Sequence, residues 1–72
     1  MRILVIVERT PTGFSASSPD VPGCAATGST QEEVEAVIQD AIAVHLSGLE
    51  AEGCDVPEPH AYATYVEVAA RS

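Results

Sequence analysis

Cysteine and histidine are the side chains of this 72-residue chain with the most reactive chemistry. A thiolate beside an imidazole would suit nucleophilic catalysis, and Cys24 in a turn and His60 in a loop make such a pair conceivable. No local signature of a cysteine enzyme surrounds either residue, so a structural thiol and a surface histidine are the simpler interpretation. Cys24, His45, Cys54 and His60 are separated by 21, 9 and 6 positions, which match no zinc pattern. We therefore expect no catalytic residue, no metal and no cofactor.

Carboxylates are abundant: eleven Asp and Glu face three Arg and no Lys, and the formal net charge is −8. Two-metal nuclease chemistry needs acids that converge on the ions, typically with one inside the first strand. The first apolar run, residues 3–7, contains no acid, so we do not expect nuclease activity. Direct binding to nucleic acid is not expected either, because Arg2, Arg9 and Arg71 are scattered along the chain. A basic protein is the more natural charged partner.

The pattern of apolar residues predicts a single α+β domain over residues 1–72, with the element order β-β-β-α-β. We expect a three-stranded antiparallel sheet with one packed helix and a fourth, C-terminal strand, which resembles a trimmed RNase H-like fold. The strands are predicted at residues 2–8, 14–18, 24–27 and 62–68, and the helix at residues 31–52.

The predicted helix has clear start and stop signals. Ser29 or Thr30 can cap its first turn, and each is followed three residues later by a glutamate, as in a capping box. Gly53 suits the left-handed position just past the end of the helix. His45 lies within the apolar stripe, where we expect it to be half-buried and hydrogen-bonded. That stripe recurs at three- and four-residue intervals and consists of Val34, Val37, Ile38, Ala41, Ile42, His45, Leu46 and Leu49.

Apolar side chains on the second face of the sheet need another surface to bury them, because one helix can pack against only one face. The first strand places Ile3, Val5 and Val7 on one face and Leu4 and Ile6 on the other. A domain of this size also buries only about 60% of the surface that its unfolded chain exposes. We therefore expect a homo-oligomer, a dimer or a tetramer, whose second face meets another chain. A hydrated second face is the alternative.

The cellular compartment is predicted from what the chain does not contain. No stretch reaches the roughly 18 apolar residues needed to cross a bilayer, and the opening apolar run is too short for a signal peptide. We therefore expect a cytoplasmic protein with no membrane partner. In a reducing compartment Cys24 and Cys54 would be free thiols, and a structural disulfide is the alternative.

Two motifs lie close together, PDVPGC at residues 19–24 and GSTQEEV at residues 28–34. With the rest of the chain to about residue 70, they resemble the HicB-type antitoxin family. The motif residues have a mainly structural interpretation: a type II turn at Pro22-Gly23, an Asx turn at Asp20, and a helix cap made by Thr30 with Glu33. The residues to which we assign structural roles are Pro19, Asp20, Pro22, Gly23, Gly28, Thr30, Glu33 and Gly53.

The resemblance implies a degenerate RNase H-like domain without nuclease activity, the antitoxin of a type II toxin-antitoxin system. The toxin of such a pair is a small basic ribonuclease that cleaves mRNA, and the antitoxin covers its active surface. An acidic chain suits this partner, and the acids most available for contact are Asp40, Glu50 and Glu58. Many family members carry a C-terminal DNA-binding segment that this sequence lacks, so we do not expect operator binding. The alternative is a stand-alone oligomeric adaptor or ligand-binding module.

Overall fold

The computed structural model describes residues 1–70 of the chain. Its elements are β1 (Ile6–Thr10), β2 (Gly13–Ser17), β3 (Ala25–Gly28) and α1 (Gln31–Ala51). The three strands form one antiparallel sheet in the order β1-β2-β3. The predicted α+β class and the order of its first four elements are confirmed.

The first two strands form a tight hairpin. Its last pair is Thr10 with Gly13, so that only two residues make the loop. β1 begins later than predicted because Ile6 already pairs with Ser17, the last residue of β2. Residues 1–5 therefore have no strand paired beside them in the described part of the chain.

The turn between β2 and β3 has the predicted type II geometry. The Cys24 N–H donates to the Val21 carbonyl oxygen at 3.3 Å, and Gly23 has a φ of 90°. Pro22 presets the first central position, while Gly23 takes the positive φ that other residues adopt only with strain. β3 starts at Ala25, one residue later than predicted, because the Cys24 N–H is used within the turn.

α1 begins and ends within one residue of the prediction. The Thr30 hydroxyl accepts from the Glu33 backbone N–H at 3.1 Å and so caps the helix. No hydrogen bond of the Glu33 carboxylate back to Thr30 is formed among residues 1–70, so only half of the capping box is present. At the other end Gly53 has a φ of 73°. The Gly53 and Cys54 N–H groups donate to Glu50 and Leu49 carbonyl oxygens, which is a Schellman motif.

The core lies between α1 and one face of the sheet. Val7, Ala16 and Ala26 are aligned across the three strands on this face. The helix approaches the sheet closely at Gly28, where an added Cβ would lie 2.9 Å from the Val34 backbone nitrogen. A side chain at position 28 would therefore push the first turn of α1 away from the sheet. The buried apolar residues are Ala16, Val21, Cys24, Ala26, Val34, Ile38 and Ile42.

The other face of the sheet is more polar than the sequence predicted. Leu4 precedes β1 and is half-buried, and Ile6 is 39% exposed. The neighbours of Ile6 on this face are small or polar because the alternating residues of all three strands are Glu8, Ser15, Ser17, Ala25 and Thr27. Apolar character on this face is thus concentrated at one corner.

The predicted fourth strand, residues 62–68, is absent from the structure. No helix or strand follows α1 within residues 54–70. The large side chains of this segment lie in solvent: Tyr62 is 83% exposed, Tyr65 101%, and Val66 and Val68 77% each. A strand requires hydrogen bonds to a neighbouring backbone. Residues 61–63 lie near residues 2–5 around one pocket, but no backbone hydrogen bond joins the two segments in the described part of the chain. The structure therefore does not show the fourth strand, which stays a prediction.

Candidate functional site

The cysteines and histidines of the chain do not form a reactive cluster. Cys24 is buried in the core, whereas Cys54 is exposed after α1, and both are free thiols. His45 is exposed, which corrects the expectation of a half-buried residue. The 21 residues of α1 span about 31 Å, while the five residues of β1 span only about 17 Å. His45 therefore lies where the helix extends beyond the sheet.

Metal binding finds no support in the arrangement of these side chains. Within residues 1–70 no group of three or more histidine, cysteine, aspartate or glutamate side chains is placed to hold a metal ion. Five of the acids instead lie at exposed positions of the helix. They form the feature that we call the acidic helix surface, composed of Glu32, Glu33, Glu35, Asp40 and Glu50, all of them exposed.

The acidic helix surface is not neutralised along its own element. α1 contains no Arg or Lys, and its last turn has no basic residue. Glu32 and Glu33 in the first turn favour the helix because its N-terminus carries partial positive charge. Glu50 lies at the opposite end, where the dipole disfavours an anion. Glu50 therefore adds negative charge to the surface at a position where it does not stabilise the helix.

The three acids expected to contact a partner lie at three separate places. Asp40 and Glu50 are ten positions apart on α1, which corresponds to about 15 Å along the axis and about 80° around it. Glu58 lies in the segment after the helix and is exposed. In the described part of the chain no ion pair or hydrogen bond uses these three carboxylates. They could contact one extended partner surface, but they do not form one compact pocket.

Asp20 is the most constrained acid of the chain and forms what we call the Asp20 anchor. Its side chain is fully buried. One carboxylate oxygen accepts from the backbone N–H groups of His60 and Ala61, at 3.3 and 3.1 Å. The His60 ring nitrogen Nδ1 lies 3.0 Å from the same oxygen, although the His60 side chain is 81% exposed. A buried carboxylate thus ties the β2–β3 turn to the segment that follows α1.

The Asp20 anchor corrects the prediction of a local Asx turn. An Asx turn would use the backbone N–H two residues further along the chain, and that residue is Pro22, which has no N–H. The Asp20 carboxylate instead takes its donors from residues 40 and 41 positions away. The proline was the available sequence signal, since it removes the local donor and leaves the carboxylate in need of a distant one.

Beyond this anchor the chain presents a second feature that the sequence placed incorrectly. We call residues 62–70 the C-terminal arm. It carries Tyr62, Tyr65, Val66 and Val68 into solvent and has no hydrogen-bonded strand beside it in the structure of residues 1–70. The alternation that predicted a fourth strand is present in the arm, but its partner strand is not.

The sequence of this chain matches a family model over residues 3–70, and the model is described as "HicB_like antitoxin of bacterial toxin-antitoxin system". The chain belongs to the HicB-like antitoxin family. A chain of the structure named "HicA3 and HicB3 toxin-antitoxin complex" is 34% identical and has a TM-score of 0.65. That match covers 81% of this chain and 69% of the other. The family assignment agrees with the resemblance carried by the two motifs.

A second solved structure, "Antitoxin HicB3 crystal structure", is 33% identical to this HicB-like chain with a TM-score of 0.64. This match covers 40% of the length of that antitoxin and 76% of this chain. An uncharacterized 14.9 kDa protein of Haemophilus phage HP1, from the rep-hol intergenic region, is 29% identical over 62 residues. This HicB-like chain spans about half of that relative, since the match covers 47% of it and 86% of this chain.

The family motifs of this HicB-like chain occupy structural positions. Pro22 and Gly23 form the turn, Asp20 forms the anchor, and Thr30 caps α1. Pro19 is exposed beside them. No helix among residues 1–70 has the length and apolar character needed to cross a membrane. The motifs therefore account for how the domain is built, and the acidic helix surface and the arm are exposed outside them.

Proposed function

We propose that this HicB-like chain neutralises a small basic mRNA-cleaving toxin by binding over its active surface, in a type II toxin-antitoxin pair of the cytoplasm. The likeness to a chain of the HicA3 and HicB3 complex supports a toxin as the class of partner. The observation that carries the proposal is the acidic helix surface, because five exposed carboxylates lie on one helix without a basic residue. Such a surface attracts a cationic protein and repels a nucleic acid.

The net charge of −8 strengthens this attraction at long range. Complementary charge raises association rates by about 10- to 1,000-fold and orients the partner before contact. Asp40, Glu50 and Glu58 are exposed at three separated places, so each would meet a different basic side chain of an extended partner surface. Glu50 supports this assignment further, since its position at the helix C-terminus is unfavourable for stability.

Coexpression tests the proposal. The chain is coexpressed with any small basic protein that the adjacent genes encode, and growth and copurification are measured. We expect the basic protein alone to stop growth, coexpression to restore growth, and the two proteins to purify as one complex. If no neighbouring basic protein harms growth or binds the chain, the antitoxin proposal is wrong.

Charge reversal locates the contact. Asp40→Lys, Glu50→Lys and Glu58→Lys are each compared with Glu8→Lys, which makes the same charge change on the outer face of the sheet. We expect at least one of the three variants to weaken toxin binding by about tenfold or more. The new lysine would repel a basic side chain of the toxin that the carboxylate attracted. Equal binding by all four variants would show that these carboxylates are not the contact residues.

The proposal also states that the chain itself does not cleave nucleic acid. The purified chain is incubated with RNA and DNA in the presence of Mg²⁺ or Mn²⁺, and we expect no cleavage. Cleavage that copurifies with the chain and is lost in the Asp40→Lys variant would contradict the proposal.

A further inference from the structure

An apolar groove lies between α1 and the N-terminal segment that precedes β1. Its volume is about 430 Å³, which is within the range of about 300 to 1,000 Å³ that is usual for binding pockets. Ile38 and Ile42 belong to the buried core and also line the groove. The groove therefore continues the core to the surface of the molecule. Its apolar lining is formed mainly by Met1, Ile3, Val5, Ile38, Ile42 and Leu46.

The C-terminal arm of the same chain does not cover this groove. Residues 61–63 lie near residues 2–5 around a different pocket. Further along the arm, Val66 and Val68 are each 77% exposed. Met1, which lines the groove, is 78% exposed. Because burial of apolar surface against another molecule is favourable, the groove is a docking surface for a partner.

Carboxylates border the groove along α1. Glu35 is one of its lining residues. Glu32 and Glu50 are 18 positions apart, which is about five full turns, so both project in the same direction from the helix axis. That direction is within about 20° of the lining residues Gln39 and Ala43. The groove is therefore apolar in its middle and negative at both ends.

The far side of α1 provides positions that do not border the groove. Glu33 projects about 140° away from Leu46 around the helix axis and is not one of the lining residues. Ala51 is 18 positions after Glu33 and projects in the same direction. Both residues are exposed. Changes at Glu33 and Ala51 therefore alter the helix surface without entering the groove.

Charge and length favour a basic amphipathic segment as the occupant. A second copy of the chain would bring a net charge of −8 to a groove with carboxylates at both ends, and like charges disfavour that association. An amphipathic helix, in contrast, places its apolar side chains in such a groove and keeps its polar side chains at the rim. The helix residues that line the groove extend from Glu35 to Leu46. They cover about 17 Å along the axis, which about three turns of a bound helical segment would match.

We propose that the groove receives an amphipathic basic segment of the toxin. The apolar side chains of this segment lie against Ile42 and Leu46, and a Lys or Arg at each end faces Glu35 and Glu50. The charged ends orient the segment, and burial of its apolar side chains stabilises the complex. The inference rests on the proposed function, because it takes the toxin as the partner, and it names the surface that holds this partner.

A synthetic peptide tests the chemistry of the groove without a toxin. The probe is a peptide of about three helical turns with leucines at positions i, i+3, i+4 and i+7 and an arginine at each end. One control peptide has glutamates in place of the arginines, and another has serines in place of the leucines. We expect fluorescence anisotropy to show that the probe binds about tenfold or more tightly than either control. Equal binding of the probe and either control would overturn the proposal.

Paired variants locate the binding in the groove. Ala43→Trp fills the groove with its own indole ring, whereas Ala51→Trp makes the same change on the far side of α1. Glu35→Lys reverses a charge at the groove, whereas Glu33→Lys reverses one on the far side. We expect Ala43→Trp and Glu35→Lys to weaken binding of the probe by about tenfold or more, and the two controls by about threefold or less. Circular dichroism checks that all four variants remain folded. Equal effects within either pair would contradict the proposal.

The tryptophan variants also separate this proposal from the proposed function. With a toxin identified by coexpression, we expect Ala43→Trp to lose copurification and Ala51→Trp to keep it. A toxin that both variants bind equally would overturn the groove proposal and leave the proposed function intact. If the probe binds in the groove but coexpression yields no toxin, the proposed function fails and the preference of the groove for a basic amphipathic segment stands. Self-association that only Ala43→Trp abolishes, measured by sedimentation equilibrium, would identify a second copy as the occupant and overturn the proposal.

Discussion

Helix α1 and the C-terminal arm both alternate apolar and polar residues with a regular period, but only the helix buries its apolar side chains in the core. α1 places Val34, Ile38 and Ile42 in the core, whereas the arm leaves Tyr65 and Val66 in solvent. The difference follows from their hydrogen bonds. A helix satisfies its backbone internally, while a strand needs the backbone of another segment.

The largest expected effect is a loss of stability at the helix. Ile38→Ala should lower the free energy of unfolding by about 2 to 5 kcal/mol, because Ile38 is 1% exposed and its removal leaves a cavity. Val66→Ala removes apolar atoms from a side chain that is 77% exposed and should have no measurable effect. Urea unfolding of both variants at low protein concentration gives the comparison. A similar loss at both positions would mean that the arm packs onto its own chain.

The next largest effect is expected at the Asp20 anchor, which joins the folded body to the segment that precedes the arm. Asp20→Asn keeps the size of the side chain but replaces a charged acceptor of two backbone N–H groups. Hydrogen bonds to charged groups contribute about 1.5 to 3 kcal/mol each. We therefore expect Asp20→Asn to lower the free energy of unfolding by about 1.5 to 3 kcal/mol. Hydrogen exchange should speed up at the His60 and Ala61 amides and remain unchanged in the middle of α1.

His60→Ala is the control for the anchor. The His60 ring is 81% exposed, so water competes with its contact to Asp20 and we expect the ring to contribute little to stability. We expect a loss well below that of Asp20→Asn, because the two backbone bonds to Asp20 remain. If His60→Ala is as damaging as Asp20→Asn, the ring and not the backbone holds the segment to the turn.

The sequence predicted the parts of the fold that depend on neighbouring residues. The Pro22-Gly23 turn, the Thr30 cap and the Gly53 helix end each act through a few adjacent backbone groups, and all three are confirmed. The start of β1 was predicted wrongly because it is set by the length of β2, not by the run of apolar residues before it. Distant pairing decides strand limits, and a single sequence does not show it.

The site was less predictable than the fold for the same reason. The acidic residues of α1 were identified from their positions on a helix. The Asp20 anchor joins residues 40 and 41 positions apart, and His45 is exposed because the helix is longer than the strands beneath it. Both follow from the three-dimensional arrangement. The same holds for the C-terminal arm. Its alternating pattern predicts a strand but does not show which segment would form hydrogen bonds with it.

Removal of the helix cap is expected to have a smaller effect on stability. Thr30→Ala removes the acceptor of the Glu33 N–H and should lower the unfolding free energy by about 1 kcal/mol. Ser29→Ala is the matched control, because Ser29 is exposed and lies one residue before the cap. Thermal unfolding of the two variants should differ by a few degrees. If Ser29→Ala costs as much as Thr30→Ala, the helix begins one residue earlier in solution.

The smallest effect on stability is expected at Ser18, a buried residue that directly follows β2. Its hydroxyl oxygen is buried and has no hydrogen-bond partner within residues 1–70. Leaving a hydroxyl buried without a partner costs about 1 to 3 kcal/mol, so Ser18→Ala should leave stability unchanged or raise it by up to about 1 kcal/mol. Ser17→Ala on the exposed side of β2 is the control. A clear loss in Ser18→Ala alone would show that the hydroxyl has a hydrogen-bond partner in solution.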